Sequence, residues 1–515
     1  MNNTETDLIR FPLSISSNLR KGDTMKKFQY EKLAVAVILV GGVFPPLLCE
    51  YSTLSPENDN WPMFMHDYKN TGYSPSAAPD TPHLLWTFDT EQRLFGSPIV
   101  YDSTVYQVGR GFLFALDAET GDILWSSRVP VVGSTPFVTE EYLYVGTCNG
   151  IAALNSKTGE LLWQVQLVDF ECDPWEDDRS SFLSSSPIET EKGIVMCTHR
   201  NILYSTANPF PEGINRVVCL DPEDGTLLWQ YHYFVRAGYS PALINERIIV
   251  NSEQLEILDV ETGEQLWSYA TEPLGDTSPV VTDSTIVTVS SDDGIVYAFG
   301  LDTQKLLWTH SMDALVLSTP AVHENKILVK TYDETIYALD EETGSVLWEK
   351  NVKEESHFPG REVQRNVQAS FRSSPAIADN KIYVGLWSGT LLCLEVDTGE
   401  ILWKYKTDGS IVASPAVAGE KVFISSTDGK VYCFGIDPKT YFEKAEKYRK
   451  QKNTERAREF YVRAREYYKI QGDQEMVTKC EKRLEDKDYI RIEVPVIACI
   501  IIGALLIYWK RCRNP

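Results

Sequence analysis

The chain is poor in the residues that build metal and phosphate sites. It has seven histidines in 515 residues, and no pair of them has zinc-site spacing. None of its ten cysteines stands in a CxxC, which excludes a metal or redox site of that kind. No glycine-rich phosphate loop and no nucleophile elbow occurs. Positive charge is scarce too. Lys and Arg number 49 against 73 Asp and Glu, a formal net charge of −24. The deficit falls between residues 51 and 438, where acidic residues outnumber basic ones by roughly two to one, while both flanks are basic. Such a surface excludes nucleic acid, whose phosphates need a Lys/Arg footprint. It favours solubility or a cationic partner. The acidic stretch at residues 173–178, DPWEDD, lacks the glycine and alternate spacing of a calcium loop and reads as a solvated loop.

Long apolar runs are also few, and they frame the chain. Residues 33–49, LAVAVILVGGVFPPLLC, follow Lys26, Lys27 and Lys32. They read as a signal-peptide core or a short signal anchor, with Met1 or Met25 as the start. Leu47-Leu48-Cys49 resembles a lipoprotein cleavage box, although Leu48 is bulky where a small residue is wanted. Residues 494–509, VPVIACIIIGALLIYW, are just long enough to span a bilayer and precede Lys510, Arg511 and Arg513. Basic flanks mark the cytoplasmic side. The expectation is therefore a chain anchored in the cell membrane. Residues 1–50 would be a cytoplasmic tail plus the signal peptide or anchor. The region from Glu50 to about Glu493 would lie outside, and 510–515 would form a basic cytoplasmic tail.

What the chain has in abundance is one phrase. An apolar strand, a Thr-Gly turn and two apolar residues end in tryptophan, as in LFALDAETGDILW to Trp125. The phrase returns at Trp163, Trp229, Trp267, Trp308, Trp348 and Trp403, mostly about 40 residues apart, the period of a four-stranded propeller blade. An eighth copy is split. Trp86 has the ending without the strand, and residues 431–438 have the strand without the ending. Pairing the two halves closes a ring. Ser-Pro or Thr-Pro opens each unit, from Ser97-Pro98 to Ser414-Pro415, and proline at a strand's first residue costs no ladder bond. The fold class is thus all-β: an eight-bladed propeller closed by an N-terminal strand. Each tryptophan is expected to dock on the neighbouring blade with its indole N–H on backbone. Cys219, Cys393 and Cys433 occupy the repeat position where other units have Ala115, Ala153, Ala298 and Ala338, a small core site. One disulfide among Cys148, Cys172 and Cys197 is expected as an option.

This repeat resembles the quinoprotein-type, or PQQ-like, propeller family with its tryptophan-docking motif. The resemblance covers residues 59–438 and includes the lead-in Trp61-Pro62-Met63-Phe64, His66-Asp67 and Thr71-Gly72-Tyr73-Ser74. The family implies two kinds of protein. One is the dehydrogenases that bind pyrroloquinoline quinone and calcium. The other is non-catalytic scaffolds such as the BamB-like propellers of outer-membrane assembly. The Cys-Cys pair that many of the dehydrogenases carry over the cofactor is missing here, and most connections are short. No calcium ligand or catalytic aspartate carries over. No cofactor and no catalytic residue are therefore expected, and a non-catalytic scaffold binding protein partners is the favoured function. A quinone/calcium dehydrogenase and a carbohydrate- or envelope-polymer-binding module remain as alternatives.

Function is expected where the repeat breaks. Residues 164–185 and 349–372 join blades, and residues 201–215 join a second strand to a third, so all three insertions fall on one face. Their aromatic and charged residues, Trp175, Phe182, Phe210, His357, Phe358 and Arg361, are the candidate binding face. After Pro438 the composition turns charged with helical spacing. Tyr441, Ala445, Tyr448, Ala457, Tyr461, Ala464 and Tyr468 line one side of a hairpin resembling one tetratricopeptide-type repeat plus a further helix. Residues 439–490 are read as a stalk, either a spacer or a docking element.

Overall fold

The structure, a computed structural model, describes residues 59–131, 134–167, 182–200, 215–233, 240–252, 254–271, 274, 277–291, 293–353 and 373–485. Eight sheets follow one another around a ring, each built on a four-stranded antiparallel meander, and two carry a fifth strand: Tyr73–Ser74, parallel to Ala376–Ala378, and Phe182–Ser184, against Ile194–Arg200. In blade 1 the strands are Ile99–Tyr101, Thr104–Val108, Phe112–Asp117 and Ile123–Arg128. Blade 8 takes Ala416–Ala418, Lys421–Ser425 and Lys430–Gly435 from the end of the repeat region. Its outer strand, His83–Asp89, comes from the beginning. The split unit is therefore the closure. The inner three strands of each blade are buried almost throughout, and valine, isoleucine and leucine dominate them.

Each outer strand carries an irregularity in the same place. Leu154 pairs with Leu161 and Ala153 with Trp163, so Leu162 bulges out of the ladder. Leu161 and Leu162 are both exposed as a result, and the same pair is exposed in most blades. A bulge twists an edge out of register with any incoming strand. The exposed outer edges of the ring are thereby blunted.

The inner ends of the blades are tied to each other by hydroxyls. Ser186 N donates to Ser240 Oγ at 3.3 Å, and Ser278 N to Thr319 Oγ1 at 3.1 Å. Thr319 N donates to Ser374 Oγ, Ser374 N to Ser414 Oγ, and Ser414 N to Ser97 Oγ, the last at 2.9 Å. The proline of each Ser/Thr-Pro opening suits the strand start, and the hydroxyl supplies the inter-blade acceptor.

Residues 61–76 make a second circuit inside the first. Trp61 pairs with Val100 of blade 1, and Pro62 O accepts from Val138 N of blade 2. Tyr68 O, Lys69 O, Thr71 O and Gly72 O then accept from Leu243, Val281, Val322 and Ile377 of blades 4 to 7, at 2.7–2.9 Å. Ser76 Oγ finally accepts from Glu420 N of blade 8. Gly72 has φ of 67°, and a Cβ there would lie 2.6 Å from Met65 Cε and 3.1 Å from Pro375 O. Only glycine fits that approach.

Three helices follow blade 8: α1 at Pro438–Lys450, α2 at Thr454–Ile470 and α3 at Gln474–Leu484. Asn453 and Asp473 cap α2 and α3 with their side chains. The bundle is not a free spacer. Glu420 of blade 8 accepts a hydrogen bond from Tyr441 Oη and pairs with Arg463, and Lys421 lies 5.6 Å from the centre of the Tyr467 ring. Among the described residues no helix is long and apolar enough to cross a membrane. The apolar segments 33–49 and 494–509 lie outside the described residues.

Candidate functional site

The tryptophans of the repeat sit between blades. Trp86 Nε1 donates to Ala118 O, Trp125 to Ser156 O, Trp163 to Pro222 O and Trp229 to Val260 O, at 2.9–3.2 Å. Trp308 and Trp348 donate to Glu341 O and Val396 O at 2.9 Å. Each acceptor is the second residue of the next blade's Thr-Gly turn, whose glycine lies against the indole. At Gly263, with φ of 72°, a Cβ would stand 2.4 Å from Trp229 Cε3. Trp267 faces a turn with Gln304 in the glycine position, at φ 53°, and packs edge-on against Phe299 with ring centroids 5.8 Å apart. Trp403 donates to Pro79 O at 3.2 Å. Pro79-Asp80-Thr81 thus takes the place of the turn that blade 8 loses where its chain enters α1.

The candidate binding face lies almost wholly outside the described residues, which include none of Trp175, Phe210, His357, Phe358 and Arg361. Phe182 is the exception for its backbone. It was expected in a loop between blades, but it begins a strand, Phe182–Ser184, that pairs with Ile194–Arg200. The second strand of blade 3 is long enough to carry two partners in line, so the chain re-enters the sheet earlier than Ser186-Pro187. Of the three cysteines considered for a disulfide, Cys197 is a buried free thiol, and Cys148 is disulfide-bonded with its partner outside the described residues. Cys172 lies in that undescribed part. Burial pushes the thiols of Cys197, Cys219 and Cys393 up to about 12, which suits a core role rather than a reactive one.

On the face that carries the turns between the first and second strands lies a cavity of about 860 Å³. Its floor is the inner circuit, from Asp67 to Tyr73, and its walls are the turns after the inner strands of blades 3 to 6. Sequence reasoning missed it, because no insertion marks it. The floor is rigidly held. Asn70 is fully buried at φ 57°, and its Nδ2 donates to Ser240 O, Pro241 O and Pro279 O. Burial opposes charge on Asp67, yet the neighbouring His66 ring, 3.7 Å away, and hydrogen bonds from Thr71 hold its carboxyl below the usual range. Leu243, Ile244, Val281 and Val322 give the cavity an apolar lining, Tyr68 stands 40% exposed in it, and Tyr73 stacks on His323 at 3.8 Å. Glu191, Glu246, Asp283 and Glu324 rim it, one per turn. Lys69 lies within it and is taken by Asp283 at 2.7 Å.

At the other ends of the inner strands, blades 7 and 8 carry a smaller cavity of about 340 Å³, with Phe95 and Trp387 beside Arg93, Asp408 and Ser410. Next to it, Lys330, Glu334 and Ser373 leave only about 20 Å³, room for about one water. A tricyclic quinone does not fit there, since ligand pockets begin near 300 Å³. Among the described residues no three His, Cys, Asp or Glu side chains converge as a metal site. No chemical step through a quinone or calcium is derived from these residues.

Comparison with known proteins agrees with this architecture. The crystal structure of BamB from Moraxella catarrhalis superposes with a TM-score of 0.53 at 16% identity, over 68% of this chain and 97% of that one. A quinohemoprotein alcohol dehydrogenase from Comamonas testosteroni superposes with a TM-score of 0.59 at 12% identity, over 73% and 80%. At such identities both show the fold alone. Among curated proteins, outer membrane protein assembly factor BamB of Burkholderia pseudomallei is 27% identical over 33% of this chain and 42% of its own length. That of Yersinia pestis is 23% identical over 36% and 51%. The chain thus spans about half the length of the curated relatives it matches or less. The family model described as outer membrane protein assembly factor BamB matches residues 76–174, 151–277 and 251–438. That is more than half of the chain, and the protein belongs to this family of propellers.

Proposed function

We propose that this protein is a non-catalytic scaffold of the cell envelope that binds protein partners, tethered to the membrane by residues 494–509, with residues 33–49 as its signal peptide or signal anchor and the propeller outside. The observation that carries the reading is the 860 Å³ cavity on the turn face. Its floor is bonded to four blades, so a partner meets a preformed surface and the ordering cost on the protein's side is small. Its apolar lining inside a polar rim is the arrangement of a protein-docking patch. The relatives named as assembly factors support the same class.

The test is a photo-crosslinking residue at Tyr68, in cells that carry the full chain. A discrete protein adduct from Tyr68, absent when the group is placed at the exposed Glu160 on the propeller's rim, is expected. No adduct at Tyr68, together with quinone- and calcium-dependent dye reduction by the purified chain, overturns the scaffold in favour of the dehydrogenase. A second reading, a binder of envelope polymer, is favoured by Phe95 and Trp387 beside Arg93 and Asp408. Aromatic faces and charged forks suit sugar rings and hydroxyls. Polymer pull-down that is lost in Trp387→Ala and kept in a Tyr68 variant selects it.

A further inference from the structure

Every turn after an inner strand of the propeller bears a carboxylate residue. They are Asp102, Glu140 with Glu141, Glu191, Glu246, Asp283, Glu324, Asp379 and Glu420, at least one for each blade. The negative charge of the chain therefore has an address. At blade 8 the structure shows what such a turn recognises. Glu420, at φ 63°, takes the guanidinium of Arg463 and the hydroxyl of Tyr441, and both come from the basic helical bundle. Beside it Lys421 is fully buried between Glu119, at 2.6 Å, and the Tyr467 ring. A basic helix that presents Arg and Tyr is thus docked on the turn face already.

Blade 4 repeats the same turn without that helix. Ile244-Asn245-Glu246-Arg247 stands where blade 8 has Ala418-Gly419-Glu420-Lys421, and Glu246 has φ of 60° against 63° for Glu420. Glu246 lines the large cavity instead. Around it the balance of charge is open. Glu191 and Glu324 face the same space, Lys69 is committed to Asp283, and burial lowers the affinity of His323 for a proton. Lys326 reaches Glu324 only at 3.9 Å and pairs more closely with Asp397, at 3.0 Å.

We propose that the cavity of blades 3 to 6 is the docking site for a basic amphipathic helix of a partner protein, which sets Arg or Lys on Glu246, Glu191 and Glu324 and an apolar side chain against Val281 and Ile244. This inference rests on the scaffold reading and adds the chemistry of the partner. Charge on the rim accelerates and orients the encounter, and the apolar lining supplies the burial. Helix-in-groove recognition of this kind reads anchors three and four residues apart, the spacing at which Arg463 and Tyr467 already meet this face.

The test uses the full chain and a fluorescein-labelled basic amphipathic peptide that repeats the residues of α2, with a second peptide whose Arg and Lys are all Glu. Fluorescence anisotropy is expected to show saturable one-site binding of the basic peptide, weakened on raising salt, and none of the acidic one. Glu191→Gln/Glu246→Gln/Glu324→Gln together, and separately Ile244→Arg, should weaken it at least tenfold. Glu160→Gln/Glu400→Gln/Glu264→Gln, on the outer turns, removes the same charge away from the cavity and should leave it within about twofold. Equal weakening by both triple variants reduces the effect to net charge and overturns the site. So does competition at Glu420, seen as loss of binding in Glu420→Gln alone. Tyr68 adducts in cells without peptide binding would sink the basic helix and leave the scaffold standing. Peptide binding without adducts would do the reverse.

Discussion

At the scale of single residues, the docking tryptophan and the turn glycine form one device with two failure modes. Trp229 is buried, bonded to Val260 O and laid on Gly263. Gly263→Ala adds both a collision with the ring and a side chain in the left-handed region, at an expected cost of about 2–4 kcal/mol. Gln304 is the natural counter-example. It already pays that conformational penalty, and Trp267 beside it packs on Phe299 instead. Gln304→Gly should therefore stabilise, by about 0.5–1 kcal/mol after the extra freedom of glycine in the unfolded chain is subtracted. Thermal melts of the two variants should move in opposite directions from the parent. Two shifts of the same sign would remove the glycine argument.

At the scale of elements, the inner circuit is tied to the ring by backbone bonds and by a few side chains, of which Asn70 is the most deeply buried. Asn70→Gly keeps the left-handed backbone and removes only the amide. Three buried carbonyls then lose a donor, which should cost about 2–4 kcal/mol. Hydrogen exchange at the Leu243 and Val281 amides, whose acceptors are Tyr68 O and Lys69 O, should quicken before any outer strand opens. Unchanged exchange there would show the floor to be held by other contacts. This element marks the limit of what the residues alone disclose. The blades were legible because a repeat reports on itself: tryptophan, glycine and Ser/Thr-Pro recur wherever the same packing recurs. Residues 61–76 meet the successive blades through different atoms and so have no period, and the motif names them without placing them. The hydroxyls of Ser/Thr-Pro were visible too, but the acceptor role appears only when blades stand side by side. The turn carboxylates recur in every unit and read as solubility until Glu420 is seen holding Arg463. The aromatic insertions, by contrast, stood out in the sequence and lie outside the described residues.

At the scale of the whole molecule, blade 8 is the seam, because seven blades are covalently continuous and this one is not. Closing it joins residues more than 300 apart: Thr90 Oγ1 meets Gly429 O at 2.8 Å across a separation of 339 residues. The entropy of such a loop is about 5 kcal/mol. What offsets it is local and specific: the strand pairing of His83–Asp89 with Lys430–Gly435, the Trp86 ring packed against Phe423, Trp403 and Tyr383 on Pro79 O, and Lys381 on Asp80 at 3.0 Å. Gln471, the C-cap of α2, also meets His83 at 2.7 Å, so the helical bundle clasps the seam. Repeat structures open at their weakest interface first. Trp86→Ala should therefore expose residues 83–89 and 430–435 to hydrogen exchange well below global unfolding, and the freed edge of Lys430–Gly435 should drive self-association seen by light scattering. Trp308→Ala removes an equal ring from an interface between covalently linked blades. It should lower the melting temperature while leaving residues 83–89 protected until the whole ring unfolds. If both variants release those strands alike, the ring has no privileged seam, and stability is shared evenly around all eight interfaces.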